Sequence, residues 1–164
     1  MRILAFAFAS FVFSAMTPAA DLTQPIDQIV VNKSKHQLLL LREGKVIRAY
    51  RVALGWHPVG PKREQGDGKT PEGDYSISGR NPKSSYHLSL RISYPSAADS
   101  ERAERAGVDP GGDIMIHGLP NGEENVGIEH AEVDWTAGCI AVTDKEIEEI
   151  WRLVPDGTPI RINP

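Results

Sequence analysis

Along most of this chain apolar and polar positions alternate in short bursts, and only two stretches carry a helical period. Gln28–Asn32 (QIVVN) and Gln37–Arg42 (QLLLLR) are β-branched or leucine-rich runs split by the polar turn Lys33-Ser34-Lys35-His36, which predicts a hairpin. Glu43-Gly44 makes a second tight turn. Residues 45–54 (KVIRAYRVAL) then set Val46, Ala49 or Tyr50, and Val52 among charged neighbours, as on a half-exposed strand closing a three-stranded meander. From 55 to 73 proline and glycine are too dense for helix or regular strand, so a long surface loop is predicted, serving function or left disordered. Tyr75 and Ile77 alternate into a strand, and Asn81-Pro82 reads as a turn. Residues 87–93 form a further strand with Leu88, Leu90 and Ile92 on one face and His87, Ser89 and Arg91 on the other.

The two helical stretches announce their ends. Ser96 caps an alanine-rich, charged run that Gly107 stops. Thr143, with Glu146 three residues on, is a capping box opening a helix over 144–153, whose Ile147, Ile150, Trp151 and Val154 make one apolar stripe. Between the helices lie a buried-type strand at 114–116 ending in His117-Gly118, a polar segment running to Trp135, and the short apolar run 140–142. Residues 158–162 close the chain as a strand. The elements add up to a mainly β domain with two short helices.

Composition narrows the setting. At 164 residues the chain fits one domain, and 40% hydrophobic residues suffice for a core. The first twenty residues carry one charge, Arg2, an apolar run over 3–13, and small residues at Ala15, Ala19 and Ala20, the layout of a signal peptide cleaved after Ala19 or Ala20. The competing reading is an uncleaved anchor, for which the run is short. Losing Arg2 leaves 17 basic against 22 acidic residues, a net −5, so no nucleic-acid partner is expected. Domains of 1–20 (signal peptide) and 21–164 (mature chain), export to the periplasm, a monomer and no stable membrane insertion follow as expectations. His57 has no partner at ligand spacing and HExxH and CxxC are absent, so no metal and no cofactor are expected.

The chain has a single cysteine, Cys139, which can close no internal disulfide. An inert core thiol is the bland reading. Gly138 before it permits a tight turn that presents consecutive amides beside the sulfur, the geometry of an oxyanion hole. A thiol attacks a carbonyl as thiolate and needs a base, and His117 sits 22 positions upstream, one loop away on a neighbouring strand end. His130 competes as base, but among Glu129, Ala131 and Glu132 it reads as solvated. The group orienting the imidazole is either the Gly118 carbonyl or Asp134. Acyl transfer through a thioester is the reaction class.

His117-Gly118, Thr136-Ala137-Gly138-Cys139-Ile140-Ala141-Val142 and Lys69-Thr70-Pro71-Glu72-Gly73-Asp74-Tyr75 together resemble the L,D-transpeptidase catalytic domain, the YkuD family with its ErfK/YbiS-like members. The resemblance runs from about Asp27 to Pro164. It implies a curled, mixed β-sheet sandwich acting on peptidoglycan stem peptides, with Cys139 as nucleophile, His117 as proton carrier, Gly118 orienting it, and the Gly138 and Cys139 amides as oxyanion hole. Two departures stand out. Ala137 replaces a histidine that many members carry, and the segment from His117 to Thr136 is longer than usual. Its extra residues, 121–132, are expected to form a lid that alters the acceptor, which keeps a carboxypeptidase or amidase at the same site as the alternative, and a silent wall-binding module as a lesser one. Tyr86, Arg91, Trp135 and Thr136 flank the presumed cleft and are the expected substrate-binding residues.

Overall fold

A computed structural model describes residues 24–164. The expected leader lies outside these residues. Eight strands follow one another as β1 (Gln28–Asn32), β2 (Gln37–Arg42), β3 (Lys45–Arg51), β4 (Gly73–Ser84), β5 (His87–Ile92), β6 (Met115–His117), β7 (Ile140–Ala141) and β8 (Pro159–Asn163). They form one mixed sheet in the order β3-β2-β1-β8-β4-β5-β6-β7, parallel at β1–β8 and β6–β7 and antiparallel elsewhere. The expected sandwich is thus a single sheet whose ends meet. Just past β3, Ala53 exchanges both main-chain hydrogen bonds with Ala141 of β7, at 3.1 and 2.9 Å, and Gly55 bridges to Thr136. Neither end of the sheet is left as an open edge at this point.

The alternation read along the chain becomes the core. Ile29, Val31, Leu38, Leu40, Ile77, Leu90, Ile92, Ile116, Ile140, Ile160 and Ile162 are all buried in one cluster. Register then decides what the opposite face presents. Leu90 lies opposite Ile116, and Ile116 opposite Ile140, a row that faces the core. Ser89 beside His117 and Arg91 beside Met115 therefore point to the other face, because side chains alternate along each strand. The polar face of β5 is the floor on which the histidine stands.

Both expected helices are present, α1 (Ala97–Ala106) and α2 (Asp144–Leu153), each opened by a complete capping box, Ser96 with Asp99 and Thr143 with Glu146. Helix α2 packs on β5 and β6 and buries Ile147, Ile150 and Leu153, while Trp151 is only partly buried and lies under the Arg80 guanidinium. Asp99 does more than cap. Its carboxylate accepts from Ser96 N and Oγ, from Tyr75 Oη at 3.0 Å and from Arg102 Nη2 at 2.6 Å. Burial pushes this carboxyl up, but those donors outweigh it and hold it below the ordinary aspartate range. Asp99→Ala removes a cap and the partner of Arg102 and leaves the Tyr75 hydroxyl with only the Glu72 carbonyl, at 3.2 Å, so urea unfolding should report a loss of about 2 kcal/mol with an unchanged m-value.

Three expectations change. The turn expected at Asn81-Pro82 is absent, since β4 runs on to Ser84 and Pro82 sits in an irregularity of its ladder with β5, between the pairs Asn81–Ser89 and Ser84–His87. A proline with no N–H to give fits such a gap. The strand expected over 45–54 ends at Arg51, because the chain there leaves β2 to reach β7. The polar segment before Trp135 contains 3-10 turns over Glu124–Glu132, broken at Gly127.

Candidate active site

The last residue of β6 is His117, almost wholly buried, and the residue just before β7 is Cys139, half-buried. Parallel pairing of Ile116 with Ile140 and His117 with Ala141 puts both side chains on the same face of adjacent strands. The sulfur lies near the start of β6: Sγ donates to the Asp113 carbonyl at 3.4 Å, and the Met115 N–H lies where it stabilises the thiolate. His117 stands two residues further along, about 7 Å of strand. Among the described residues no hydrogen bond joins sulfur and imidazole.

The imidazole is firmly oriented. Nδ1 donates to Gly118 O at 2.7 Å, which leaves Nε2 as the nitrogen that can take a proton. Asp134, the other candidate for this task, is elsewhere: its carboxylate bonds His36 Nε2 at 2.9 Å and accepts from Leu54 N at 2.8 Å. Gly118 has no room for a side chain, because a Cβ there would lie 2.5 Å from Asp144 Oδ1, the atom that also accepts from Leu119 N. The ring of Tyr86 lies over His117 at 4.4 Å between centroids, and Trp135 meets it edge-on at 5.7 Å.

The turn ahead of the sulfur is built by Thr136. Its hydroxyl donates to Cys139 O at 2.7 Å and accepts from Gly138 N at 3.1 Å. Two sequence expectations are thereby revised. Thr136 is turned inward as a brace instead of facing substrate, and the Gly138 amide expected in the oxyanion hole is already engaged. The Cys139 N–H, with no acceptor among the described residues, remains beside the sulfur. Gly138 itself has φ +132°, and a Cβ on it would strike the Lys69 carbonyl at 2.6 Å.

Cys139 opens on a cleft of about 410 Å³ bounded by Ala137, by Gly111, Gly112 and Asp113, and by Lys62, Gln65 and Gly66 of the long loop. That loop is ordered around Asp67, whose carboxylate gathers the amides of Arg63, Glu64 and Lys69 and the Lys62 ammonium. Burial raises this carboxyl, and the donors more than reverse it, bringing it down to about 2. Arg91 lines a neighbouring hollow with Ser89 and Met115 and pairs with Asp113 of the cleft at 2.8 Å. Tyr86 and Trp135 thus sit at the imidazole, while Arg91 is outside the lining of the cleft and reaches it only through Asp113. Lys62, Asp67 and Asp113 were not expected here, and His130, expected in solvent, is buried. The Asp67-Gly68 turn pair was a weak signal; Lys62 carried none.

Burial governs the protonation of the pair. It pushes the Cys139 thiol up, only partly offset by the Met115 N–H. It pushes the His117 imidazole down, against the Gly118 carbonyl and with help from His130. Both shifts favour the neutral forms, thiol and unprotonated imidazole. The base form of a histidine whose pKa is lowered persists to lower pH. With His117 as the base, the acid limb of the rate of Cys139 acylation by tetrapeptide should therefore fall below pH 6.5, the ordinary histidine value, and a limb at or above 6.5 contradicts this assignment.

A closed mixed sheet with this histidine strand and cysteine turn is the L,D-transpeptidase fold, and solved structures bear that out. The helical cell shape determining protein Pgp2 from Campylobacter jejuni superposes with a TM-score of 0.61 at 25% identity, over 85% of this chain and 48% of that one. An L,D-transpeptidase from Mycobacterium smegmatis superposes at 0.54 with 15% identity, over 84% of this chain and 58% of that one. The chain belongs to the L,D-transpeptidase catalytic domain (YkuD) family, whose model matches residues 26–162. Among curated relatives are YafK of Escherichia coli K12, 34% identical over 67% of this chain and 38% of its own length, and YqjB of Bacillus subtilis 168, 30% identical over 82% and 69%. Both carry the name of candidate L,D-transpeptidases. The chain spans well under half of YafK.

Proposed function

We propose that this protein is an exported cysteine acyltransferase of peptidoglycan, an L,D-transpeptidase. Cys139 Sγ attacks the carbonyl of the third residue of a stem tetrapeptide while its proton passes to His117 Nε2. The S–C bond forms, the C–N bond to the terminal D-alanine breaks, and Nε2 returns the proton to the departing amine. An acceptor amine then attacks the thioester, N–C forms, S–C breaks, and its proton goes by way of His117 to the sulfur. The Cys139 N–H meets the oxyanion in both halves. The observation carrying this reading is an imidazole fixed by the Gly118 carbonyl on the same strand face as the sole thiol, beside an open cleft.

Residues 1–20 as a cleaved leader, 21–164 as the catalytic unit, a periplasmic site of action and a monomer belong to the same proposal. Among the described residues no helix is long and apolar enough to cross a membrane. Incubation with isolated stem tetrapeptides tests it. Mass spectrometry should find a tripeptidyl adduct on Cys139 and a cross-linked peptide product. Free tripeptide alone establishes the hydrolase instead, and an unmodified Cys139 with intact tetrapeptide overturns both.

A further inference from the structure

The polar face of β5 carries a buried hydroxyl with nothing to hold. Ser89 is 1% exposed, and its Oγ has no hydrogen-bond partner among the described residues. A donor and an acceptor left unspent at that depth mark a place for a polar group. Ser89 lines a hollow of about 280 Å³ together with Gly79 and Asn81 of β4, Arg91 of β5 and Met115 of β6. Register brings them together. Asn81 lies opposite Ser89, Gly79 opposite Arg91 and Arg91 opposite Met115, so all five stand on one face of three adjacent strands. Gly79 keeps the floor open: a Cβ built there meets no atom within 4 Å, and its backbone is outside the left-handed region.

Donor count and charge define the occupant. Arg91 is exposed and gives Nη1 to Asp113 at 2.8 Å, while its Nε and Nη2 have no partner among the described residues. Arg80 also borders the hollow, but its guanidinium is spent on Asp156, on the Trp151 and Val154 carbonyls and on the Trp151 ring. What faces the hollow is a hydroxyl and the free edge of one guanidinium, two donors that match the paired oxygens of a carboxylate. Asp113 already balances the Arg91 charge, so a monoanion is accommodated and a dianion such as a phosphate ester is disfavoured. The hollow also shares a wall with the thiol. Met115 lines it and turns its N–H to the Cys139 sulfur, and Asp113, which holds Arg91, offers its carbonyl to Sγ at 3.4 Å.

We infer that this hollow is a carboxylate-binding site, in which one oxygen accepts from Ser89 Oγ and the other lies along the free edge of Arg91. The carboxylate shares the guanidinium with Asp113 and forms no covalent bond. Its source is either the peptide held at Cys139 or a separate small acid, both of which present the same group to the same donors.

The probe is 4-acetamidobutyrate, one carboxylate on a short aliphatic stem, with 4-acetamidobutyramide as its uncharged twin. Titrated into the protein, the acid should shift the Gly79 amide and Arg91 Nε–H NMR resonances to saturation, and the amide should leave them in place. Read at Gly79, binding should weaken at least about tenfold in Arg91→Gln and about fivefold in Ser89→Ala. Because Ser89→Ala deletes an unpartnered hydroxyl, its urea midpoint should be no lower than the parent's. Gly79→Leu fills the hollow from its floor and should abolish the shift at Arg91. Equal responses to acid and amide, an affinity within twofold of the parent in any of the three variants, or a lowered midpoint in Ser89→Ala overturns the site. The source is then read in Cys139→Ala protein with a stem tetrapeptide bearing a free side-chain carboxylate on its third residue. Displacement of the probe by this peptide and not by its carboxamide form assigns the carboxylate to the peptide, and binding of both without displacement assigns it to a separate acid; either result upholds the site. No bond to Cys139 forms in these titrations, so loss of the acyl-transfer reading would leave them unchanged.

Discussion

Cys139→Ala should abolish tripeptidyl-enzyme formation and reduce product by at least about 10³-fold, while the unfolding free energy stays within about 1 kcal/mol of the parent. The asymmetry follows from where the sulfur sits. It is half-buried at the mouth of a cleft, its hydrogen bond to the Asp113 carbonyl is long, and its backbone is held by Thr136 and by the pairing of Ile140 and Ala141 with β6 whatever the side chain. Alanine therefore deletes the proposed nucleophile and little else. Cys139→Ser is the sharper test. A hydroxyl is a far weaker nucleophile beside a neutral imidazole, so serine should leave the same cleft and donors and no acyl-enzyme. A tripeptidyl adduct on either variant would place the chemistry on another residue and remove the basis of the proposed mechanism.

The second large effect is Gly138→Ala, expected to cost about 3 kcal/mol and to lower acylation at least about 100-fold. Two costs combine. The backbone at φ +132° is a conformation open in practice to glycine alone, and the added methyl would sit 2.6 Å from the main-chain oxygen of Lys69. Lys69 cannot retreat freely, because its amide is tied to Asp67 Oδ1 at 3.0 Å. Relief must come from the turn itself, which shifts the Cys139 amide and sulfur together. Gly44 provides the control: its φ is +73° but no atom lies within 4 Å of a built Cβ. Gly44→Ala should cost about 1 kcal/mol and leave acylation unaltered. Equal destabilisation in the two variants would show that the Lys69 contact contributes nothing.

How far the chain could be read without coordinates depended on whether a residue's surroundings are local. The hairpin of β1 and β2 and both helices were legible because alternation and capping boxes are written within a few positions of the element they define. That His117 and Cys139 lie at neighbouring strands was legible, because one loop separates the two. The choice of the Gly118 carbonyl over Asp134 was not, since it depends on Asp134 being claimed by His36 and by the Leu54 amide, 98 and 80 positions away. His130 misled for a related reason. Its neighbours Glu129 and Glu132 are exposed, and without a regular helical period in the 3-10 turns nothing local marks the one side chain that points inward. Lys62 is a further case: a lysine in a glycine-rich loop reads as solvated until Asp67 is seen to hold it against the cleft.

The segment between His117 and Thr136 is tied to the frame at both ends by main-chain bonds. Gly118 N reaches the Tyr86 and Leu88 carbonyls and Asn121 N the Ser85 carbonyl, while Thr136 exchanges bonds with Leu54 and Trp56. Residues 122–133 can lengthen, shorten or be swapped with less effect on the histidine and the cysteine turn than changes at Asp134 and Trp135, which hold Leu54 N and pack on the His117 ring. Diversification of this scaffold can therefore proceed by loop grafting, the cysteine turn staying constant while the neighbouring insert varies.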